Sequence, residues 1–393
     1  MKVAIVAEFY PRAGDPVLGI WAHRQAVAAR DAGADVRVLV LHRPLPPLAS
    51  LKSGPRATVR AARRAIAQPL RTELDGIEVA YVPYISPPRP QSYGDWGRWA
   101  TPSAAVALRA LHRRFDFDLV HAHNAVPAGD AVRHARVTAP LVVSVHGGDV
   151  FHTAPGSARG AGAVRAAFAH ARLVLANSAG IAQRARDLGA RTTRVVRLGS
   201  DLPAERAQPA AAPTIVTTGH VIERKRHRDV LDALALLRDR YPSLRYLVIG
   251  DGPALEDLRQ RAAGHGLSDR VELAGQLAPE AALKRTRAAS IFAMPSSDEA
   301  FGVAYVEAMA GWVPAIGARG EPGPQEIAAA GGGMWLVEPG DPQALAARID
   351  ALLRDARLLR AAGDAARATA AGAFSWARCG AATVAAYEEA LGA

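Results

Sequence analysis

Short apolar runs alternate with longer helical stretches along the whole chain, and this alternation limits the fold more than any other feature. Most of the stretches between the runs are rich in alanine and carry apolar residues at helical spacing. Strand–helix alternation of this kind predicts parallel β-sheets with helices on both faces. The predicted strands of the first half are Val3–Phe9, Val36–His42, Ile77–Tyr84, Leu119–His123, Leu141–His146, Leu173–Asn177 and Arg194–Leu198. Those of the second half are Thr214–Thr218, Arg245–Ile249, Val271–Ala274, Ile291–Pro295, Val313–Ile316 and Met334–Val337.

A Pro- and Ala-rich stretch at residues 201–213 separates two series of such units. With 393 residues, and roughly 100–200 residues per domain, two domains are expected. We predict doubly wound, Rossmann-like α/β domains over 1–203 and 204–375, facing each other across a deep cleft. The last helical stretch, 376–393, is expected to pack back on the first domain. Ligands of such sheets bind beyond the carboxyl ends of the strands, so the cleft is the expected active site.

The composition fits a folded protein of a reducing compartment, because half of the residues are hydrophobic and Cys379 is the single cysteine. The first apolar run breaks at Glu8, too early for a signal peptide, and no run approaches the ~18 apolar residues of a spanning helix. A cytoplasmic protein is expected, docked peripherally on a membrane if at all.

The net charge of +11 concentrates in one region, since residues 51–72 contain no Asp or Glu. The six basic residues of this region are Lys52, Arg56, Arg60, Arg63, Arg64 and Arg71. Two interpretations stay open for the 52–71 segment: a solvated face, or a patch that contacts an anionic membrane surface. Nucleic-acid binding is not favoured, because no aromatic interleaving or reader motif accompanies the charge.

The richest segment is PSSDEAFGVAYVEAMAGWVPAIG at residues 295–317. A strand ends, a loop carries Glu299, and a helix opens at Phe301 and Gly302. The amide N–H groups and the dipole at a helix N-terminus suit a diphosphate. The carboxylates of Glu299 and Glu307 are acceptors for sugar and ribose hydroxyls. Together they describe a nucleotide-sugar pocket.

Other candidate residues follow other predicted strands. TTGHVIERK places Gly219, His220 and Lys225 after a strand, and LVVSVHGGD delivers His146 and Asp149 after another. The segment HAHNAVPAG adds His121, His123 and Asn124. The two histidines lack an evident third ligand, and Asp116-Phe-Asp118 is interpreted as loop acids. No metal site is therefore predicted.

Glu299-x7-Glu307, with Ala-Phe-Gly between the glutamates, resembles the signature of the large retaining glycosyltransferase family 4, the glycosyl transferases of group 1, which have the GT-B fold. The resemblance implies that Glu299 contacts the donor sugar and that Glu307 holds the ribose. It also implies that the amides around Phe301, Gly302 and Val303 bind phosphate and sugar. By the same resemblance Lys225 and Gly219 face the leaving diphosphate, and His146 faces the donor sugar.

Further roles rest on the same resemblance. A glycine after the first strand approaches the diphosphate, for which Gly19 fits best and Gly14 is the alternative. His123, Asn124 and Asp149 border the acceptor side. The sequence departs from the family where His220 replaces the usual arginine, which puts one diphosphate contact in doubt, with Arg224 or Arg226 as substitutes.

The expected function is a retaining, metal-independent transfer of a sugar from a nucleotide sugar to a glycan, lipid-linked or small-molecule acceptor, as in polysaccharide biosynthesis. A UDP- or GDP-sugar is favoured, because a ribose offers Glu307 two adjacent hydroxyls. The nucleotide sugar is a substrate and no cofactor is required. Two alternatives are a sugar-nucleotide epimerase of the same fold and a non-catalytic nucleotide-sugar binder.

Overall fold

The structure, a computed structural model, describes residues 1–45, 54–56, 59, 63, 67–89 and 92–392. Its internal contacts divide the chain into two units. The first consists of Met1–Arg197 with Trp376–Ala393, and the second of Leu198–Ser375. Most of the basic 52–71 segment lies outside the described residues, which include only Arg56, Arg63 and Arg71 of its six basic positions.

The described strands of the first unit form one sheet in the order β3-β4-β2-β1-β5-β6-β7-β8. All neighbours are parallel except β3, which runs antiparallel to β4 at one edge. The central strands are buried on both faces, which explains their continuous apolar character. Their bounds are β1 Lys2–Ala7, β2 Asp35–His42, β3 Arg71–Leu74, β4 Ile77–Pro83, β5 Leu119–His123, β6 Leu141–Val145, β7 Leu173–Ala176 and β8 Thr193–Val195.

Helices connect these strands. The described ones are α1 Ile20–Asp31, α2 Trp96–Phe115, α3 Asp130–Ala135, α4 Ala158–His170, α5 Ala179–Asp187 and, at the end of the chain, α13 Trp376–Leu391. Shorter turns occupy Tyr93–Asp95, Ala125–Gly129, Asp149–Thr153 and Ala154–Gly156. Helix α13 packs on α1, where Gln25 Nε2 donates to Thr383 Oγ1 (3.1 Å) and Gly380 lies against the carbonyl of Ala28.

The second unit holds a parallel sheet in the order β11-β10-β9-β12-β13-β14. Its strands are β9 Thr214–Thr218, β10 Arg245–Ile249, β11 Val271–Leu273, β12 Ile291–Met294, β13 Ala315–Ala318 and β14 Met334–Val337. Its helices are α6 His227–Leu237, α7 Leu255–Gly264, α8 Pro279–Arg287, α9 Val303–Ala310, α10 Pro322–Ala329, α11 Pro342–Leu353 and α12 Ala356–Ala373. A single turn of 3-10 helix, Glu223–Lys225, precedes α6.

Two strand predictions were displaced for local physical reasons. The strand predicted at Val313–Ile316 begins only at Ala315, because Pro314 has no amide hydrogen to give to the ladder. The strand predicted at Arg194–Leu198 is shortened to Thr193–Val195, an exposed edge strand. Within the described residues, no helix is both long and apolar enough to span a bilayer.

Candidate functional site

Glu299 lies in the loop between strand β12 and helix α9 of the second unit. Gly302 precedes the first turn of α9 and has a φ of 85°, the left-handed region that favours glycine. A Cβ atom at Gly302 would lie 2.3 Å from the ring of Tyr305 and 3.5 Å from Cγ of Glu299. Only glycine therefore lets this loop turn into the helix while Glu299 stays beside the helix N-terminus.

A buried ion pair joins Glu299 to Lys225. Nζ of Lys225 donates to Oε2 of Glu299 at 2.6 Å, and the hydroxyl of Ser296 donates to the same oxygen at 2.8 Å. The two charged side chains are 12% and 9% exposed. Lys225 follows β9 and Glu299 follows β12, and these strands are neighbours in the sheet, so their loops meet at its carboxyl edge.

The electrostatics of the pair keep Glu299 ionised. Burial alone raises the pKa of its carboxyl group, but the charge of Lys225 and its hydrogen bond outweigh burial, so the pKa falls below its usual value. Arg224 and the hydroxyl of Ser296 act in the same direction. The site therefore presents an ammonium and a carboxylate together at neutral pH.

The loop that carries Glu299 is fixed by contacts that the sequence analysis did not predict. The Arg224 guanidinium donates to the carbonyl oxygens of Ser297 (3.4 Å) and Asp298 (3.3 Å), and the amide of Ser297 donates back to the Arg224 carbonyl at 2.8 Å. The amide of Glu299 donates to Oε2 of Glu321 at 2.8 Å. Both residues are distant in sequence from this loop, so the pattern gives no signal of either contact.

Gly219 lies beside Lys225 at the end of β9. A Cβ atom at Gly219 would be 3.9 Å from Cε of Lys225, and its amide donates to the carbonyl of Ile249. Gly250 follows β10 and approaches so closely that a Cβ there would lie 1.9 Å from the Gly219 carbonyl oxygen. Gly219, Lys225, Glu299 and Gly302 thus come together, as four residues from two separate loop segments.

The residues proposed to compensate for His220 have other partners. Nε of Arg226 donates to Oδ2 of Asp229 at 2.5 Å, and the Arg224 guanidinium is directed to the loop carbonyls. His220 itself is exposed after β9, and its carbonyl accepts from the amide of Ile222 at 3.0 Å. These contacts therefore give no support to Arg224 or Arg226 as a replacement for the arginine that is missing at position 220.

The remaining residues of this segment differ in how much their side chains are available. Phe301 is 2% exposed and packs edge-to-face on Phe374 with centroids 5.7 Å apart, so only its backbone can reach a ligand. Val303, the first residue of α9, and Glu307, on the same helix, are both half-buried. Glu307 also interacts electrostatically with Arg287 of helix α8.

In the first unit, His146 follows β6 and His123 ends the neighbouring strand β5. Nδ1 of His123 and Nε2 of His146 share a hydrogen bond of 2.9 Å, and the two ring planes are parallel with centroids 5.1 Å apart. Burial lowers the pKa of His146 to about 4 and lowers that of His123 as well. Both rings are therefore neutral at pH 7, and each fixes the other's orientation.

Asp149 and Asn124 shape the turn next to His123. The Asp149 carboxylate accepts hydrogen bonds from the amides of Ala125 (2.9 Å) and Val126 (3.1 Å) and from Nδ2 of Asn124 (3.2 Å). Burial raises the pKa of Asp149 to about 6, although these bonds oppose the rise. Both side chains thus act within the turn, and contact with an acceptor stays a prediction.

Gly19 precedes helix α1 with a φ of 64°. A Cβ atom there would lie 2.1 Å from the carbonyl carbon of Phe9, so the loop after β1 closes tightly on itself only with glycine at this position. The exposed Gly14 lies in the same loop. The contact of Gly19 with a diphosphate stays a prediction.

The acids and histidines that raised the question of a metal have other contacts. Asp116 ends α2 with a positive φ, and Asp118 accepts from the amide of Lys2 at 2.7 Å. His121 shares a hydrogen bond of 2.7 Å with the hydroxyl of Tyr387. Across the part of the chain that the structure describes, no group of three or more His, Cys, Asp or Glu residues is placed to hold a metal ion.

Two family models match the chain in succession. The model described as Glycosyl transferase 4-like domain matches residues 19–201, and the one described as Glycosyl transferases group 1 matches residues 201–369. The second match contains Gly219, Lys225, Glu299 and Glu307. The segment from Glu299 to Glu307, which carries the resemblance to the family, therefore lies inside the region that the group 1 model covers.

Among similar proteins, LpsE of Rhizobium meliloti, named a lipopolysaccharide core biosynthesis glycosyltransferase, is 30% identical over 216 residues. That alignment covers 53% of this chain and 62% of LpsE, less than two thirds of the relative. TuaC of Bacillus subtilis, named for teichuronic acid biosynthesis as a glycosyltransferase, is 27% identical over 337 residues, or 80% of each chain.

The solved structure of Anabaena HepE in complex with UDP and glucose is similar in fold. It matches with a TM-score of 0.74 and 22% identity over 99% of this chain and 100% of that chain. At this identity the likeness concerns the fold alone. Together with the two parallel-rich α/β units, it confirms the GT-B fold predicted from the sequence.

Removing one member of the Lys225–Glu299 pair should destabilise the second unit. Lys225→Met leaves a buried carboxylate without its partner, which costs about 3 kcal/mol of the free energy of unfolding at pH 7. The double variant Lys225→Met/Glu299→Gln should lose clearly less, because no uncompensated charge remains. Urea unfolding of the full chain measures both, with the exposed Lys284→Met as the matched control.

The pair would not have the stated role if the single and double variants lost equal stability. The same conclusion would follow if Lys284→Met, which removes the same charge from the same unit, destabilised the chain as much as Lys225→Met.

Proposed function

We propose that this chain, which belongs to the group 1 glycosyltransferases, transfers a sugar from a nucleotide-sugar donor to an acceptor hydroxyl. The observation that carries the proposal is the Lys225–Glu299 pair, 2.6 Å between charged atoms, beside the N-terminus of helix α9. A cation and free amides suit the diphosphate that leaves, and a carboxylate suits the hydroxyls of the sugar. Neither alternative, an epimerase or a non-catalytic binder, is favoured by the glycosyltransferase relatives.

The geometry supports a division of labour within the pair. An ammonium has three donor hydrogens, so Lys225 can keep its bond to Glu299 while it donates to a phosphate oxygen. The hydrogen bonds that Lys225 and Ser296 donate to the Glu299 side chain both end on Oε2. Oε1 is the oxygen proposed to accept from a sugar hydroxyl. Negative charge develops on the diphosphate as the glycosidic bond breaks, and Lys225 would stabilise it there.

His146 is proposed to act on the sugar as a neutral ring. Its pKa of about 4 means that the imidazole carries no charge at pH 7. It can therefore hydrogen-bond a sugar hydroxyl without repelling the positive charge that develops on the sugar ring. His123 fixes which way that ring faces through the 2.9 Å hydrogen bond. The catalytic role itself rests on the family resemblance.

The proposed donor is a UDP- or GDP-sugar. Glu307 would hold the ribose hydroxyls, the amides around Phe301, Gly302 and Val303 would bind phosphate and sugar, and Gly19 would contact the diphosphate. The complex of HepE with UDP and glucose supports a nucleotide-sugar donor. The names of LpsE and TuaC support a glycan or lipid-linked acceptor in polysaccharide biosynthesis.

Loss of the Lys225 ammonium should slow donor turnover. In Lys225→Met we expect kcat to fall by about 10²–10³-fold, because charge on the leaving group is no longer neutralised. Glu299→Gln should fall comparably, because the neutral amide pairs poorly with both Lys225 and a sugar hydroxyl. Release of nucleotide from a UDP- or GDP-sugar measures both, and Lys284→Met, an exposed lysine of the same unit, should match the unaltered chain.

Turnover of Lys225→Met within a few-fold of the unaltered chain would remove the observation on which the proposal rests. Folding of each variant is checked separately by urea unfolding, so that a loss of rate is not confused with a loss of structure.

We further propose that the reaction retains the anomeric configuration and needs no metal. Lys225 and the amide groups at α9 supply the charge that a divalent cation supplies elsewhere. Donor turnover should stay unchanged after treatment with a chelator, and proton NMR of the first-formed product should give the same anomer as the donor. Activity that disappears with chelation and returns with Mg²⁺ or Mn²⁺ would overturn the metal independence, and an inverted product would overturn retention.

A peripheral contact with the inner membrane face is proposed for the 52–71 segment. Its six basic residues without an acid are attracted to anionic lipid by about 1 kcal/mol each when near the surface. Sedimentation with phosphatidylcholine vesicles that contain phosphatidylserine should capture the chain at low salt and release it at high salt. Replacing Arg60, Arg63 and Arg64 by Gln should abolish capture, and unchanged capture would contradict the proposal.

A further inference from the structure

Three arginines follow three neighbouring parallel strands of the first unit. Arg12 comes after β1, Arg43 directly after β2, and Arg89 after β4, and these strands lie in the order β4-β2-β1. The carboxyl ends of neighbouring parallel strands meet at one edge of a sheet, so their loops lie together. None of these residues belongs to the site described above.

The three guanidinium groups lie near Tyr84. Arg43 and Arg89 both contact the ring of Trp96, which packs edge-to-face on Tyr84 with centroids 6.1 Å apart, and Arg12 interacts electrostatically with Tyr84. Tyr84 is 3% exposed, and within the described part of the chain its buried hydroxyl has no hydrogen-bond partner. Burial raises the pKa of this phenol, with further electrostatic effects from Glu8, Arg89, Arg12 and Arg43. A buried polar group without a partner costs about 1–3 kcal/mol, so this hydroxyl is placed to bond something other than the chain.

Positive charge exceeds negative charge around Tyr84. Only Arg89, of the three arginines, forms an ion pair with a carboxylate among the described residues, at 2.6 Å to Oε1 of Glu8. Arg43 donates to the carbonyl and hydroxyl oxygens of Ser86 and to the carbonyl of Leu45. These oxygens are neutral, so among the described residues Arg43 forms no ion pair, and the Glu8 carboxylate acts on it only as a weaker electrostatic partner.

Arg12 is in a similar position. Its Nη2 donates to the carbonyl of Glu8 at 2.8 Å, and its Nε is buried without a partner in the described structure. Burial lowers the pKa of Arg12, opposed by Glu8 and, more weakly, by Asp15. Around Arg43 and Arg89 the sequence adds no further acid, because residues 43–72 and 79–94 contain no Asp or Glu.

Aromatic rings hold two of the guanidinium groups in place. The guanidinium carbon of Arg89 lies 3.8 Å from the ring centroid of Tyr93 and 4.8 Å from that of Trp96. The guanidinium carbon of Arg43 lies 5.4 Å from the ring centroid of Trp96. The Tyr93 hydroxyl donates to Oε2 of Glu8 at 2.8 Å, which fixes the ring itself. These cation–π contacts restrain the positions of both side chains before any ligand arrives, which favours binding of an oxyanion.

We propose that this arginine pocket, formed by Arg12, Arg43, Tyr84 and Arg89, binds a phosphate group of the acceptor. Two guanidinium groups that form no ion pair within the described structure, together with a hydroxyl, match a phosphate, which has up to two negative charges and three free oxygens, better than a carboxylate with one charge and two oxygens. The proposal rests on the proposed function, since the donor diphosphate is assigned to Lys225 and α9 of the second unit. The substrate class is thus a phosphorylated acceptor.

Glycerol 3-phosphate is the probe, with glycerate and glycerol as its carboxylate and neutral counterparts. Calorimetric titration of the full chain with UDP present should detect glycerol 3-phosphate and neither counterpart at the same concentration. Arg12→Gln and Arg43→Gln should each weaken binding about tenfold or more, and Tyr84→Phe about threefold to tenfold. Tyr84→Phe removes only an unpartnered hydroxyl, so it tests the pocket even if an arginine variant fails to fold.

Arg165→Gln is the matched control, because it removes the same charge from an exposed position of helix α4 in the same unit. It should bind glycerol 3-phosphate within twofold of the unaltered chain. UDP affinity should be equal in all variants. A chain that binds glycerol 3-phosphate but does not bind UDP would contradict the proposed function and would still support the arginine pocket. Absent glycerol 3-phosphate binding, equal binding of glycerate, or variants indistinguishable from Arg165→Gln would each overturn the proposal.

A second arm distinguishes a soluble from a lipid-borne phosphate. Phosphatidylcholine vesicles that contain either phosphatidic acid or phosphatidylserine are sedimented with the chain, Arg43→Gln and Arg165→Gln, at a salt concentration that releases the chain from phosphatidylserine. Capture by phosphatidic acid that Arg43→Gln loses and Arg165→Gln keeps assigns the phosphate to a lipid. Binding of free glycerol 3-phosphate without such a difference on vesicles assigns it to a soluble acceptor.

Discussion

The buried pair of Lys225 and Glu299 is the interaction on which the candidate site depends. Neither charge tolerates burial alone, and each is held by the other at 2.6 Å. The pair exists because β9 and β12 are neighbours and both send their loops to the same edge of the sheet. Gly302 then lets the chain enter helix α9 directly beside the carboxylate. A fixed cation, a fixed anion and the amides of a helix N-terminus thus share one small region of the second unit.

The same rule of sheet topology organises the first unit with a different chemistry. Strands β5 and β6 bring His123 and His146 into contact as neutral rings, and β4, β2 and β1 bring three arginines around Tyr84. Helix α13, from the far end of the chain, closes this unit through its Tyr387 hydroxyl on His121. One edge of one sheet therefore carries both a neutral and a strongly cationic region.

The sequence was sufficient for features that depend on local pattern. Leu119–His123 and Thr214–Thr218 are strands with the bounds that were predicted, and a helix follows Gly302 as predicted. It was insufficient for contacts between distant residues. Arg224, considered as a phosphate ligand, instead holds the carbonyls of a loop more than 70 positions away, as its contacts with Ser297 and Asp298 show. No periodicity or spacing encodes such a pairing, because it arises only when two loops meet in space.

Burial lowers the pKa of histidine and arginine side chains alike in this chain, but the charge that remains at pH 7 differs between them. A histidine loses its proton when it is buried, so burial sets His146 to its neutral form at pH 7. Burial also lowers the pKa of Arg12 and Arg43, but an arginine starts so far above pH 7 that it keeps its charge. Desolvation therefore leaves a hydrogen-bonding ring at one place and a cationic pocket at the other. Desolvation removes the favourable interaction of the guanidinium charges with water, and a bound anion would replace that interaction.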